Sequence, residues 1–489
     1  MAKMVSVTID GRKVKVPEGT NILDAAEQAG VHIPNLCYLK GMKGIGACRL
    51  CFVEIEGMKA PMTACTTRVK DGMNITTSTE QIEALRKYVI DLILSMHPND
   101  CMTCPKTGVC ELQKYAYEMD IKDSSFTRKE FGFGVDDKNP FIRRSPDYCI
   151  LCLRCVRACK AQDTSVLDVY GRGVGSKVTT AQDRPLQEAG CTFCGSCVDV
   201  CPVYAIAEAD LGKKGRQWQF ITKDSVCLSC GAACETTVST NEVLINNVRS
   251  GGDRGSVTHY LCAIGRFGHD AVNSDKRVQS PLRREDGQLK GITWKAALEE
   301  MASNLKEGSG VLVSGNLTCE DYLTLKDFSE KAKLKVASTV ELYADGSSLV
   351  GPEADIDGAD LVVMAGLKAS QWTRTLAAVD AAVRRLSNRG VKLVVIDTED
   401  TGLEEKATVR LNADPVAGMK AILEGGSSEE ETKAKALFES SQSPVVITTP
   451  VYYEAIAGMV KKGTVVSVPV EANAKGALMM GLPTGALKD

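Results

Sequence analysis

Cysteine placement constrains this chain more than any other feature. Of 20 cysteines in 489 residues, nineteen fall between residues 1 and 262, and one, Cys319, lies in the rest. Disulfides need an oxidising compartment, and the opening segment MAKMVSVTID has neither an apolar signal core nor a small-residue cleavage site. Small disulfide scaffolds also do not carry a long cysteine-poor domain behind them. Thiolate ligation of metal in a cytoplasmic protein is the expectation.

Charge removes other classes. With 59 Lys and Arg against 62 Asp and Glu, the net charge of -3 offers no basic surface for a phosphate backbone, so no nucleic-acid partner is expected. No run of about 18 uncharged apolar residues is present, so no membrane span is expected. The length fits three or four domains, with 44% apolar residues to fill their cores.

Val5, Val7 and Ile9 alternate before Asp10-Gly11, and Val14 and Val16 alternate after it, which predicts a β-hairpin. An amphipathic helix over about 21–29 follows, stopping at Gly30, and then a cysteine loop with glycines. Hairpin, helix and cysteine loop in that order suggest a β-grasp ferredoxin over 1–79. A second helix, about Glu80 to Met96, is predicted after Ser78, with Gln81 completing a capping box. It opens a segment 80–120, and the charged, turn-rich stretch 121–145 reads as a connector. Two matching cysteine blocks give 146–215 as an internal repeat. After Pro281, short apolar strands at 311–313, 361–364, 393–396, 445–447 and 465–466 alternate with helical stretches, one of them about 320–332 behind a Thr318/Asp321 box. That alternation predicts a parallel sheet covered on both faces.

The cysteines fall into sets of four ligands. Cys37, Cys48, Cys51 and Cys65 are spaced C-x10-C-x2-C-x13-C, with Gly44 and Gly46 ahead of Cys48. Glycines let a loop wrap closely and aim N–H groups at cluster sulfides, so we expect a [2Fe-2S] cluster; a structural zinc is the alternative. His97, Cys101, Cys104 and Cys110 read H-x3-C-x2-C-x5-C directly after a helix. They suggest a cluster with one imidazole ligand, against a histidine that merely caps the helix. The repeat is C-x2-C-x2-C-x3-C twice, Cys149, Cys152, Cys155, Cys159 and then Cys191, Cys194, Cys197, Cys201 before Pro202. In the bacterial two-cluster spacing the last cysteine of each run serves the other cluster. One [4Fe-4S] cluster is therefore expected on Cys149, Cys152, Cys155 and Cys201, and another on Cys191, Cys194, Cys197 and Cys159. Cys227, Cys230, Cys234 and Cys262 form C-x2-C-x3-C-x27-C, which alone also suits a zinc ribbon. Nineteen cysteines and one histidine give five sets of four, one [2Fe-2S] and four [4Fe-4S] clusters holding about 18 iron atoms.

The order of these sites over the first 262 residues resembles the large iron–sulfur subunit of NADH:quinone oxidoreductase (complex I). It resembles more closely the subunits of soluble NAD(P)-linked hydrogenases, formate dehydrogenases and electron-bifurcating transhydrogenases, including the Stn type, because complex I subunits usually have one cluster where this chain has the doublet. CLSCGAACE from Cys227, LCAIGRFG at 261–268 and Thr293 to Leu298 look like the start of a molybdopterin oxidoreductase domain. Asn473, Gly476, Gly481, Leu482 and Pro483 look like the close of its complex I version. The resemblance implies a multidomain α+β then α/β chain: β-grasp [2Fe-2S] ferredoxin, one-His/three-Cys cluster domain, two-cluster bacterial ferredoxin module, a [4Fe-4S] molybdopterin-oxidoreductase-like part at 220–285, and a truncated α/β domain at 286–489.

VELYADGSS (340–348), where formate dehydrogenases carry their metal-binding Cys or selenocysteine, has no Cys, so no molybdopterin is expected. One leftover thiol cannot build a hydrogen-activating cluster, and Cys319 is expected to be a buried, inert group. No G-x-G-x-x-G opens a helix after a strand, since GRGVGS (171–176) lies between cysteine blocks, so flavin and NAD(P) belong on partner subunits. The resemblance implies a hetero-oligomer with a flavin/NAD(P)-binding subunit like the complex I flavoprotein, a small [2Fe-2S] thioredoxin-like subunit, and ferredoxin. Arg143-Arg144 and Lys213-Lys214 could dock an acidic ferredoxin, with a solvated surface the alternative. The expected function is electron relay in a bifurcating NADH/NADPH transhydrogenase, with no catalytic residue on this chain. The alternatives are a subunit of a formate dehydrogenase or hydrogenase complex, or a shortened molybdopterin-dependent formate oxidoreductase.

Overall fold

The computed structural model describes residues 3–162, 164–231, 234–241, 243–251, 261–339, 356, 358–368, 377–469 and 471–482. The stretch 340–348 and Pro483 lie outside them. The chain divides into two units, Met1–Asp224 with Thr237–Phe267, and Ser225–Thr236 with Gly268–Asp489. No helix among the described residues is long and apolar enough to cross a membrane.

In the first unit, β1 (Met4–Ile9) and β2 (Arg12–Pro17) pair antiparallel through the Asp10-Gly11 turn. α1 (Ile22–Gln28) follows, its N-terminus capped by Asn21, whose side chain accepts from the Asp24 N–H at 2.8 Å. β3 (Phe52–Ile55), β4 (Met62–Thr63) and β5 (Asn74–Thr76) complete a five-stranded sheet in the order β2-β1-β5-β3-β4, with β1 and β5 parallel. Val5, Val7 and Ile9 alternate with the polar face, and their burial against Ile22, Ala25 and Ala26 is what holds α1 on the sheet.

α2 (Glu80–Leu94) starts at the expected residue, but its cap is the neighbour of the one the sequence suggests. Thr79, not Ser78, accepts from the Ile82 N–H at 3.2 Å, while the Ser78 hydroxyl donates to Glu83 at 2.9 Å. Both residues are good caps, and the seating of Ile82 and Ile90 in the core chooses between them. α2 is fastened by Arg86, a buried side chain that donates to the carbonyls of Leu50, Phe52 and Thr77. It delivers the chain to His97, and α3 (Glu111–Glu118) starts immediately after Cys110. Within the repeat lie α4 (Arg154–Ala161) and α5 (Ser196–Val200), and strands 142–144 and 206–208 close its base antiparallel.

The Arg143-Arg144 patch is not a solvated one. Arg144 is buried, pairs with Asp136 at 2.8 Å and donates to the Arg184 carbonyl; Arg143 stacks over Tyr204. Strand 142–144 sits inside the unit, so its period-2 alternation turns Arg144 inward. Lys214 pairs with Asp210 at 2.5 Å, leaving Lys213 exposed.

In the second unit, strands 361–365, 392–396, 409–411, 444–448 and 464–467 form a fully parallel sheet in the order 409–411, 392–396, 361–365, 444–448, 464–467. Helices 377–388, 415–424, 429–440 and 450–459 accompany it. Val362 and Met364 enter one core, and Leu361, Val363 and Ala365 another, as a sheet covered on both faces requires. Strand 310–313 departs from expectation: it pairs with 335–338 in a separate two-stranded parallel ribbon. Leu312 is 68% exposed there, so one face lacks the cover that a central strand has. The helix 319–332 carries the expected Thr318/Asp321 capping box.

Candidate metal centres

Backbone conformation in the cysteine repeat follows one template. Leu151 and Leu153 hold φ of 52° and 61°, and Phe193 and Gly195, at the same offsets in the second run, hold 52° and 70°. Three of these are ordinary L-residues in the left-handed region, a conformation that costs about 1 kcal/mol or more each unless something over-determines it. The reward is local: the Leu151 N–H points at Cys149 Sγ at 3.4 Å, and the Phe193 N–H at Cys191 Sγ at 3.3 Å. Such donors stabilise thiolate and sulfide charge.

The structure also crosses the two runs. Cys149, Cys152, Cys155 and Cys201 line one small, largely apolar cavity with Ile150, Val178 and Ile206. Cys201 acts electrostatically on Cys149, Cys152 and Cys155. Cys159 does the same to Cys191 and Cys197, and the Val166 N–H donates to Cys159 Sγ at 3.2 Å. Burial pushes the Cys149 thiol up to about 11 and Cys191 to about 12, so sulfurs gathered here ionise only when a cation compensates them.

The first cysteine set converges too. Cys48 and Cys65 each lie within hydrogen-bond reach of Cys37, and Cys51 within reach of Cys65. The Leu36 N–H points at Cys48 Sγ at 3.4 Å. Gly44 makes the loop possible: a Cβ there would lie 2.0 Å from the Cys65 carbonyl oxygen.

His97 is not a helix cap. α2 ends at Leu94, and His97 Nδ1 lies 2.9 Å from the Pro98 carbonyl, which fixes the proton on Nδ1. Nε2 is left buried with no hydrogen-bond partner among the described residues, and burial lowers the imidazole pKa, which favours the neutral ring. A buried, unprotonated and unpartnered nitrogen is the form that binds metal. Cys104 feels Cys101, and Cys110 feels Cys104. Tyr148 stands edge-on to His97 at 5.6 Å and donates to Asp100, filling the outer shell. With a four-iron cluster on the set His97, Cys101, Cys104 and Cys110, His97→Cys would keep iron and lower the midpoint potential, since a thiolate adds negative charge, whereas His97→Ala would lose about four iron atoms; redox titration and iron analysis check both.

The fourth set is divided between the units. Cys227, Cys230 and Cys234 lie in the second, where the Cys227 N–H donates to the Cys234 carbonyl at 2.8 Å. Cys262 lies in the first, with the Gly265 N–H at 3.4 Å from its sulfur. Cys319 is half-buried rather than buried, at the first position of helix 319–332, and accepts from Asn473 at 3.6 Å. The GRGVGS stretch forms the turn of the hairpin 168–170/177–179 and opens no helix of the kind that binds nucleotides. Among the described residues, no three His, Cys, Asp or Glu side chains are arranged to hold a single metal ion.

Sequence reasoning missed the cations packed among these cysteine segments, one of them buried and one half-buried. Arg266 is fully buried and clamps Asp199 with two bonds of 2.8 and 2.6 Å while donating to the Cys194 carbonyl at 2.7 Å. Arg157 donates to the carbonyls of Cys37 and Lys43 at 3.1 and 2.6 Å. Their only signal was an arginine beside a cysteine motif. Glu208 was missed as well: burial pushes its carboxyl up to about 7, although Arg266 and Arg249 pull it down. The native state therefore keeps a proton that the unfolded chain releases near 4.5, and stability falls as pH rises between those values. Glu208→Gln should abolish a loss of about 3 kcal/mol, read as a variant more stable than the parent at pH 8 but not at pH 4.

Family models fit these sites in order. Residues 2–80 match a 2Fe-2S iron-sulfur cluster binding domain and 86–125 the NADH-ubiquinone oxidoreductase-G iron-sulfur binding region. Residues 139–207 match the ferredoxin-like domain of NADH-quinone oxidoreductase subunit 3. The chain resembles the large iron–sulfur subunit of complex I and its soluble relatives. Residues 277–454 of this complex I-like chain match the molybdopterin oxidoreductase model. It is 32% identical over 464 residues to the NADPH-Fe(3+) oxidoreductase subunit alpha of Geobacter sulfurreducens, covering 88% of this chain and 53% of that protein. It is 31% identical to the NADH-ubiquinone oxidoreductase 75 kDa subunit of Reclinomonas americana, over 67% of this chain and 48% of that one. Subunit 3 of the Thermus thermophilus NADH-quinone oxidoreductase is 27% identical, over 99% of this chain and 71% of its own length. The chain thus spans about half the length of the Geobacter and Reclinomonas proteins.

Proposed function

We propose that this chain is an electron-relay subunit that makes and breaks no substrate bond. Cys37, Cys48, Cys51 and Cys65 hold a [2Fe-2S] cluster. Four [4Fe-4S] clusters take His97, Cys101, Cys104 and Cys110; Cys149, Cys152, Cys155 and Cys201; Cys191, Cys194, Cys197 and Cys159; and Cys227, Cys230, Cys234 and Cys262. The observation that carries this reading is Cys201 lining the cavity of the first cysteine run, because a crossed ligand set has a two-cluster explanation and no zinc-ribbon one. Bound clusters supply one-electron redox chemistry. The chain's own residues exclude water from the sulfurs, donate N–H groups to them and set nearby charge.

On this reading electrons pass between a flavin/NAD(P)-binding partner and ferredoxin or another redox subunit, with a small [2Fe-2S] thioredoxin-like subunit as a further partner. A soluble, cytoplasmic, bifurcating NADH/NADPH transhydrogenase is the complex we favour, because VELYADGSS (340–348) carries no Cys and Cys319 is the one thiol left over from the five sets. Purifying the native complex tests it: a co-eluting flavoprotein and iron near 18 atoms per chain support the relay, and an active single chain with little iron overturns it. The match of 277–454 to the molybdopterin oxidoreductase model favours one second reading, a shortened formate oxidoreductase. Stoichiometric molybdenum or tungsten in the same metal assay would select it.

A further inference from the structure

Three of the cysteine sites in the first unit meet at one ion pair. Arg154, between Cys152 and Cys155 in the chain, is the first residue of α4; its side chain is 8% exposed, and Nη1 donates to Glu111 Oε1 at 2.7 Å. Glu111 follows Cys110, and its own N–H donates at 3.0 Å to the carbonyl of Pro202, which follows Cys201. The pair, Cys201, Lys106 and Arg249 line a cavity of about 540 Å³. Among the described residues Arg154 Nε is buried without a hydrogen-bond partner, so its charge is incompletely satisfied by Glu111. Asn35 and Tyr38, which flank the Cys37 segment, line the same cavity, and Cys152 and Cys37, members of two different cysteine sets, both lie within the electrostatic reach of Arg154.

Reduction of a cluster adds one electron and one negative charge and leaves every bond in place. A fixed cation nearby lowers the energy of the reduced state, and a carboxylate raises it, both more strongly away from water. Arginine keeps its proton at any working pH, which makes it a constant charge at such a junction.

We propose that the Arg154–Glu111 pair sets the potentials of the surrounding clusters, Arg154 favouring reduction at the Cys152 and Cys37 sites and Glu111 opposing it beside Cys110. This rests on the cluster reading above. Because one guanidinium serves two stations, it stabilises the electron on either side of the step between them and moves both potentials in the same direction.

The test is a redox titration, followed by electron paramagnetic resonance, of the full chain with its iron–sulfur clusters assembled anaerobically. Arg154→Gln should lower the midpoints of the [2Fe-2S] cluster and of the cluster that includes Cys152 by about tenfold in the reduction equilibrium, ~59 mV for one electron. Glu111→Gln should raise those of the clusters that include Cys110 and Cys152 by a comparable factor, and Arg154→Lys should stay near the parent. A merely structural pair predicts no opposite shifts. Shifts of the same sign, or unchanged potentials at full iron content, overturn the proposal. If Arg154→Gln does not assemble, Glu111→Gln alone decides, since its half-exposed carboxylate is dispensable for packing: an upward shift supports the pair and none overturns it. A parent chain that takes up no iron rejects the cluster reading itself.

Discussion

Replacing both Cys149 and Cys201 by serine is expected to remove no more iron than replacing either one alone. Each single change deletes one of four thiolates from the same cavity, so each should cost about four of about 18 iron atoms, and the second change then finds nothing left to release. Uncrossed runs predict the opposite, about eight iron atoms lost by the double variant. Cys149→Ser with Cys159→Ser is the counterpart, because Cys159 faces Cys191 and Cys197 and that pair of changes should cost about eight. Iron analysis of the anaerobically assembled proteins, normalised to chain, separates the cases.

Arg266→Met should destabilise the first unit by about 3–5 kcal/mol, because it leaves Asp199 charged, poorly solvated and without its clamp. Arg266 ties three segments together: the Cys194 carbonyl in the second cysteine run, Asp199 in α5 and the Val248 carbonyl in strand 245–250. The run is shaped around it, since a Cβ at Gly195 would lie 2.1 Å from Arg266 Nε. Loss of the arginine should therefore also loosen the cluster held by Cys191, Cys194, Cys197 and Cys159. Thermal unfolding followed by cluster absorbance measures both effects. Adding Asp199→Asn to Arg266→Met should recover part of the loss, as no uncompensated charge then remains; equal stability of the single and double variants would contradict this account.

Much of the fold was legible where a short-range signal had one solution. The hairpin at 4–17 follows from alternation around Asp10-Gly11, and helix 319–332 from a T-x-x-D box ahead of a helical stretch. Strand 310–313 was misplaced because a short apolar run looks the same whether one face or two are covered. The cap of α2 moved from Ser78 to Thr79 because two adjacent hydroxyl residues are locally equivalent, and the core contacts of Ile82 and Ile90 decide. Arg144 looked like surface charge and is buried, since sequence does not reveal which face of an isolated three-residue strand turns inward.

The sequence by itself determined the cysteine spacings: position within a run is fixed by covalent geometry, and the repeat matches a two-cluster pattern that carries its own crossing rule. Only the tertiary structure decided how charge is distributed around those cysteines. The orphaned Nε2 of His97, the clamp of Arg266 on Asp199, and Arg154 between Cys152 and Glu111 all depend on residues far apart in the chain being brought into one desolvated space. Burial makes those charges matter, and burial is a property of the packed molecule rather than of any local stretch of residues.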